Sequence, residues 1–356
     1  MKTLNLYGYF GFKNVGDDLM LINFLDYINL HCTEKMEVRV FCHKDYYIFK
    51  KYTKVKVNVI ELNIVTNHFL MPYYIFSSFC GYWIGGTCLY EPDDKDNSGL
   101  IWLYKLVKKY KKYKKEFLFI NIGIGSLYSI KAKYLASKIL SAAERISFRE
   151  QSSLIKSEQL ENSTKGILGG DMVFLNSKSF SRLDDISSKN YLGFAGHSQY
   201  KNNISTIDFY ANLLNNISKY YDKVIFISMH GSEDHEFHRK IVEKINIDYL
   251  FIEYKEHLEL FQKMKELKFL IGMRLHSVVL ADLLAIPNIG VAYGEKVSHY
   301  IKKSTMLATI RTKKVNENIT IEEINNIIDK YYYNSEFIIN EANISEVGIK
   351  NILKEF

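Results

Sequence analysis

The chain has 356 residues, of which 47% are apolar and 24% charged, with three prolines and a formal net charge of +7. At roughly 150 residues per domain this is room for about two domains with buried cores, which excludes a small peptide scaffold and a disordered chain. Cys32, Cys42, Cys80 and Cys88 form no C-x-x-C pair and no Cys/His ligand spacing, which argues against a disulfide framework and a structural zinc and for a reducing cytosol.

Residues 2–10 already read as a strand, where a secretory leader would place a charged and then an apolar region, so export is not expected. From there, strand-length apolar runs alternate with amphipathic stretches, the pattern of parallel strands buried between helices. Strands are predicted at 4–9, 37–42, 55–62, 81–84, 117–122 and 145–148, with helices at 17–30, 99–112 and 131–141. The apolar stretch 69–89 is interrupted by Pro72, Gly81, Gly85 and Gly86, too broken for a bilayer span; its second half reads as a buried strand running into a glycine turn. Seven lysines lie between Lys105 and Lys115, interleaved with Leu106, Val107, Tyr110 and Tyr113. They form either the solvated face of a helix or a surface attracted to an anionic membrane or polyanion.

The polar, serine-rich segment 176–189, with Asp184 and Asp185 and no apolar period, reads as a linker. After it come strands at 191–195, 224–228, 249–252, 269–271 and 289–292, and helices at 207–220, 234–245, 258–267 and 277–284. The expected domains are 1–185 and 186–305, each Rossmann-like and doubly wound, with a helical tail at 306–356. Two such units in tandem would face each other across a cleft at the carboxyl ends of their strands, where α/β proteins bind ligands.

Five motifs sit at predicted strand ends. Gly8 to Asp17 carries Gly11, Asn14 and Gly16 after strand one, without the G-x-G-x-x-G spacing of a dinucleotide site, and Asp17 is either a helix cap or a ligand contact. Gly85-Gly86-Thr87 and Gly123-Ile124-Gly125-Ser126 are turns that could line a cleft. Arg149 follows a short strand, and arginine grips carboxylate or phosphate at two points. Gly272-Met273-Arg274-Leu275-His276-Ser277 places a guanidinium and an imidazole between a strand and an apolar helix. An imidazole moves protons near neutral pH and the guanidinium would hold an anion. Downstream, Tyr293, Gly294 and Lys296 end the next strand, with Lys296 either a phosphate contact or a surface lysine. His197, Gln199, His230, His235 and His238 surround the early loops of the second domain without metal-ligand spacing, so no metal is expected.

Taken in order, Asn14-Val15-Gly16-Asp17-Asp18-Leu19, Trp83-Ile84-Gly85-Gly86, Gly123-Ile124-Gly125, Phe148-Arg149-Glu150-Gln151-Ser152, Gly170-Asp171-Met172-Val173-Phe174 and Gly272 to Ser277 resemble the polysaccharide pyruvyl transferase family over about residues 4–305. Thr87 stands where a third glycine is usual, Met172 where proline is common, and Gly196-His197 near the position where many members carry an arginine. The resemblance implies a two-domain fold like that of GT-B glycosyltransferases and transfer of pyruvate from phosphoenolpyruvate onto a sugar as a ketal. It also implies a donor site built by Arg149, Arg274 and His276.

Asn14, Gly16, Asp17, Gly85, Gly86, Gly125, Ser277, Tyr293 and Lys296 are the expected substrate contacts, with phosphoenolpyruvate a co-substrate and no cofactor. The expected acceptor is a sugar or lipid-linked glycan in surface polysaccharide synthesis. Expected too are a cytoplasmic location with weak contact to the inner membrane face through Lys105 to Lys115, and no nucleic-acid partner. Two competing readings are a GT-B glycosyltransferase using a nucleotide-activated sugar and a non-catalytic glycan-binding protein on the same scaffold, since fold alone does not decide chemistry.

Overall fold

The computed structural model describes residues 1–43, 52–92, 94–160, 166–175, 188–254, 257–305 and 307–353. The chain divides into two compact units, one made of residues 1–12, 16–176 and 339–356, the other of 13–15 and 177–338.

The first unit holds a parallel sheet of β1 (Lys2–Tyr7), β2 (Met36–Cys42), β3 (Val55–Glu61), β4 (Cys80–Ile84), β5 (Thr87–Leu89), β6 (Glu116–Ile124), β7 (Ile146–Phe148) and β8 (Gly166–Leu168), in the order β3-β2-β1-β4-β6-β7-β8 with β5 beside β6. A parallel sheet covered on both faces needs continuous apolar strands, and eight of the nine residues of β6 are buried. Helix Ser98–Lys112 buries Leu100, Leu103, Leu106, Val107 and Tyr110, spaced three or four apart, and leaves Lys105, Lys108, Lys111 and Lys112 exposed. Tyr7 and Tyr110, both fully buried, satisfy each other hydroxyl to hydroxyl at 3.0 Å, and Asn5 Nδ2 donates to Tyr110 at 2.8 Å.

The second unit holds β9 (Tyr191–Ala195), β10 (Lys223–Ser228), β11 (Tyr249–Glu253), β12 (Leu267–Gly272), β13 (Asn288–Ala292) and β14 (Thr312–Lys314), all parallel, in the order β11-β10-β9-β12-β13-β14. Counted from its own first strand this is the 3-2-1-4-5-6 order of a doubly wound sheet, and it reverses between β9 and β12. In the first unit the reversal lies between β1 and β4.

The predicted strands and the alternation with helices are present within one to three residues at each end. Three short strands escaped the sequence reading, β5, β8 and β14, each only three residues long. The first half of the 69–89 stretch is helical, a π turn over Thr66–Leu70 running into helix Met71–Phe76.

The stretch after residue 305 departs from the expected tail. It supplies β14 and helix Ile321–Lys330, opened by a Thr320/Glu323 capping box, to the second unit, and residues 339–356 of helix Ser335–Ile352 and beyond to the first. Ser345 is fully buried there and takes the Asn121 amide at 3.1 Å. The expected linker at 176–189 lies outside the described residues except for its last two positions. The four cysteines are free thiols, three buried and Cys88 half-buried.

Candidate active site

In the first unit the strand ends beside the reversal carry the glycine turn. Gly85 and Gly86 leave β4 with φ of +56° and +68°, the left-handed region that glycine enters at little cost. A Cβ on Gly85 would run into the Met20 sulfur, and one on Gly86 would fall 3.0 Å from Asp17 Oδ1. The predicted residues Asp17 and Gly86 therefore touch, and Asp17 sits in the first turn of helix Val15–His31, whose amide end favours its charge. Gly16 opens the same turn. Gly125 is a packing glycine, because its Cβ would lie 2.7 Å from that of Tyr90.

Arg149 follows β7 with its side chain only 5% exposed. Its Nη2 donates to Thr87 Oγ1 at 3.0 Å, so the threonine that stands where a third glycine is usual becomes the guanidinium's anchor. Gly123 lets it pass, since a Cβ there would be 3.1 Å from Arg149 Nε. Glu150 Oε2 lies 3.6 Å from that Nε, which makes no hydrogen bond, and Nη1 has no acceptor among the described residues. Burial works against the charge on Arg149, but the carboxylates of Glu150, Asp171 and Asp17 outweigh it and raise the pKa. A buried cation with unused donors is suited to an anion.

In the second unit β9 and β12 end level: Ala195 pairs with Gly272, and Met273 N donates to Ala195 O at 2.8 Å. His197 and Arg274 therefore leave neighbouring strands at the reversal. Arg274 is clamped by Asp234, its Nε reaching Oδ2 at 2.7 Å and its Nη2 reaching Oδ1 at 2.6 Å. Asp234 is fully buried and also accepts from Ser198 N at 3.1 Å and His230 N at 2.8 Å. Nη2 further meets Ser198 Oγ at 3.1 Å and lies 3.5 Å from His230 Nδ1. Nη1 has no side-chain partner among the described residues, so one edge of the fork is available.

His197 is held neutral, its pKa pushed down to about 3 by burial and by Arg274 and His230. Its Nδ1 accepts from Gln199 N at 3.1 Å, which leaves Nε2 as a hydrogen-bond donor beside Arg274. The Tyr293 ring stands 4.4 Å from the His197 ring, so Tyr293 joins this group. Asn14 joins it as well, through a backbone bridge to His230 and Val15 N donating to Met229 O at 3.0 Å. His276, half-buried, is the second residue of helix Leu275–Leu283. Ser277 is fully buried and donates its hydroxyl to Arg274 O at 2.6 Å, so it shapes the turn instead of facing a substrate. Lys296 is exposed in the first turn of helix Glu295–Ser304.

Sequence reading missed Asp234, Ser198 and Thr87 as partners of the arginines. Asp234 follows a strand end at the start of helix Gly231–Val242, where an acidic residue reads as a helix-dipole partner. His238, another of the noted histidines, is internal: its Nε2 accepts from Gly196 N at 2.9 Å, and burial pushes its pKa down to about 3. No group of three or more His, Cys, Asp or Glu among the described residues is placed to hold a metal ion.

Comparison with known proteins gives the chain's fold relatives and its family. Among solved structures, UDP-GlcNAc 2-epimerase from Methanocaldococcus jannaschii is 11% identical over 99% of both chains with a TM-score of 0.62. Anabaena HepE in complex with UDP-glucose is 13% identical over 99% of this chain and 95% of that one, with a TM-score of 0.55. At such identities the likeness is one of fold, that of the GT-B enzymes. No curated protein matches by sequence. The polysaccharide pyruvyl transferase family matches over residues 14–295, a span that contains Asp17, Gly86, Arg149, His197, Asp234, Arg274 and His276, and the chain belongs to that family.

Proposed function

We propose that this protein transfers pyruvate from phosphoenolpyruvate onto two hydroxyls of a sugar as a ketal, in the synthesis of a surface polysaccharide or glycoconjugate. The observation that carries the reading is Arg149, buried, charged and left with unused donors where Gly123 lets it pass. Arg274, oriented by Asp234 with Nη1 unused, is a second cation of the same kind. Phosphoenolpyruvate carries a carboxylate and a phosphate, each a match for a planar guanidinium.

In this reading His276 delivers a proton to the methylene carbon of the enol, which becomes a methyl group while positive charge develops at the carbon bearing the phosphate. A sugar hydroxyl bonds to that carbon and returns its proton to His276. The second hydroxyl then displaces phosphate, which leaves with the second hydroxyl's proton, and the ketal closes. Neutral His197 donates Nε2–H near Arg274, where it can hold a donor oxygen without adding charge. Asp17 at the glycine turn orients the acceptor. The lysines of helix Ser98–Lys112 hold the enzyme at an anionic membrane face where lipid-linked acceptors are presented.

Thermal melting tests the donor. Phosphoenolpyruvate should stabilise the protein, by about 2.7 kcal/mol at a hundredfold excess over Kd, and Arg274→Ala should abolish the shift. Stabilisation by a uridine or cytidine nucleotide with none from millimolar phosphoenolpyruvate would replace this reading with nucleotide-sugar transfer.

A further inference from the structure

We propose that the helical segment 65–76, together with Phe79, docks the first unit onto an anionic lipid surface by sinking its apolar face among the headgroups. Val65, Phe69, Tyr73 and Phe76, at i, i+4, i+8 and i+11, share one side of this segment and are 55%, 74%, 62% and 69% exposed. Thr66, Met71, Ile75 and Ser78 on the other side are buried, so the fold fixes which face looks outward. Ile64, Leu70 and Phe79 widen the exposed area. A run of large apolar side chains held outward on a short helix marks an interaction surface, not the scattered exposure normal for a soluble protein.

The surroundings identify the partner by charge. No Asp or Glu occurs between Glu61 and Glu91, nor from Ser98 to Lys115. Helix Ser98–Lys112 lies alongside: Trp102 Nε1 donates to Asn67 Oδ1 at 3.2 Å and Lys109 Nζ to Asn67 O at 3.2 Å. Trp102, Lys105, Lys109 and Lys112 follow one stripe of that helix, so Lys105 and Lys112 border the apolar face on the same side. Lys115 Nζ donates to Ser78 O at 2.6 Å, and Lys2 Nζ lies 5.4 Å from the Phe79 ring centre.

Aromatic side chains rimmed by lysines match an interface of acyl chains below and phosphates above. A second copy of the chain fits poorly, because a two-fold contact would set these lysines against their own equivalents. No helix of the described residues is long and apolar enough to cross a membrane, so the contact is one of lying on the surface. The inference shares its lipid partner with the lysine contact proposed above and is independent of the transferred group.

Sedimentation with vesicles of phosphatidylcholine alone and mixed with phosphatidylglycerol tests it. The protein should partition onto the mixed vesicles only, and release with salt. The pair Phe69→Ser and Phe76→Ser should weaken binding at least about tenfold with an unchanged melting temperature, and Tyr73→Ser alone should weaken it by less. The pair Lys105→Gln and Lys112→Gln should weaken it by about fivefold per lysine. Equal sedimentation of the wild-type protein and the folded phenylalanine variant overturns the proposal. So does a wild-type dimer in light scattering that the phenylalanine substitutions dissolve while the wild-type protein ignores both kinds of vesicle. Because the readout is binding, a failure here leaves the pyruvyl-transfer reading untouched, and a failure of the latter leaves this one untouched.

Discussion

Each arginine depends on a small oxygen acceptor: Thr87 fixes Arg149, and Asp234 with Ser198 fixes Arg274. Each keeps an unused edge. His276 has a different task, and His276→Ala should lower turnover about 100- to 10,000-fold, the usual loss for a general acid and base, with an unchanged melting temperature. Steady-state assay of phosphate release checks this, and full activity in the variant would remove His276 from the chemistry. His238 is a structural counterpart, buried neutral with its pKa held at about 3 against an ordinary 6.5. A group whose folded pKa is depressed stabilises above its unfolded pKa and loses that contribution as pH falls towards the folded value. Stability should therefore fall between pH 6.5 and 3. His238→Gln keeps an acceptor for Gly196 N–H but cannot titrate, so its loss of stability from pH 7 to pH 5 should be smaller by about 2 kcal/mol in urea melts.

At the scale of elements, the glycines that matter are those at strand ends. Gly86→Ala should destabilise by about 1–2 kcal/mol, because its φ of +68° is left-handed and the new Cβ would press on Asp17 Oδ1. Gly99, inside helix Ser98–Lys112 with nothing within 4 Å, should behave oppositely, and Gly99→Ala should stabilise by about 0.5–1 kcal/mol. Denaturant midpoints of the two variants give both signs. The long elements were legible in the sequence because β6 and its neighbours are uninterrupted apolar runs, and Arg149 and Arg274 because they follow such runs directly. β5, β8 and β14 were not, since three residues carry no period and, unlike the equally short but fully buried β7, each is partly exposed and so lacks an apolar run. The partners of the arginines were hidden for another reason: Thr87 is 62 positions from Arg149 and Asp234 is 40 from Arg274, so only the fold reveals the pairs.

The whole molecule is not two consecutive beads. Residues 13–15 belong to the second unit although their neighbours on both sides belong to the first, and the last residues return to the first after a long excursion. Within that return, Gly348 packs 2.7 Å from the Gly169 Cα, measured from where a Cβ would stand, and Ser345 meets Asn121. A chain stopped after Ile338 should therefore keep the second sheet and lose stability in the first. Hydrogen exchange should show β6 and β7 deprotected while β9 and β12 stay protected, and equal protection throughout would show that the returning helix is dispensable. No composition statistic announces such a path, because the segment after 305 looks from its sequence like a plain helical tail.

The four thiols bear on how such questions can be asked. Burial, helped by Asp18 and Glu61, pushes Cys42 up to about 12, burial raises Cys88 as well, and Cys32 and Cys80 are sheltered inside the first unit. At neutral pH Cys42 and Cys88 carry almost no thiolate, and burial keeps Cys32 and Cys80 from reagent, so a maleimide dye should find all four slowly. An outward position such as Phe76→Cys would react first, and the native protein could be labelled at one chosen point without removing any of its own cysteines.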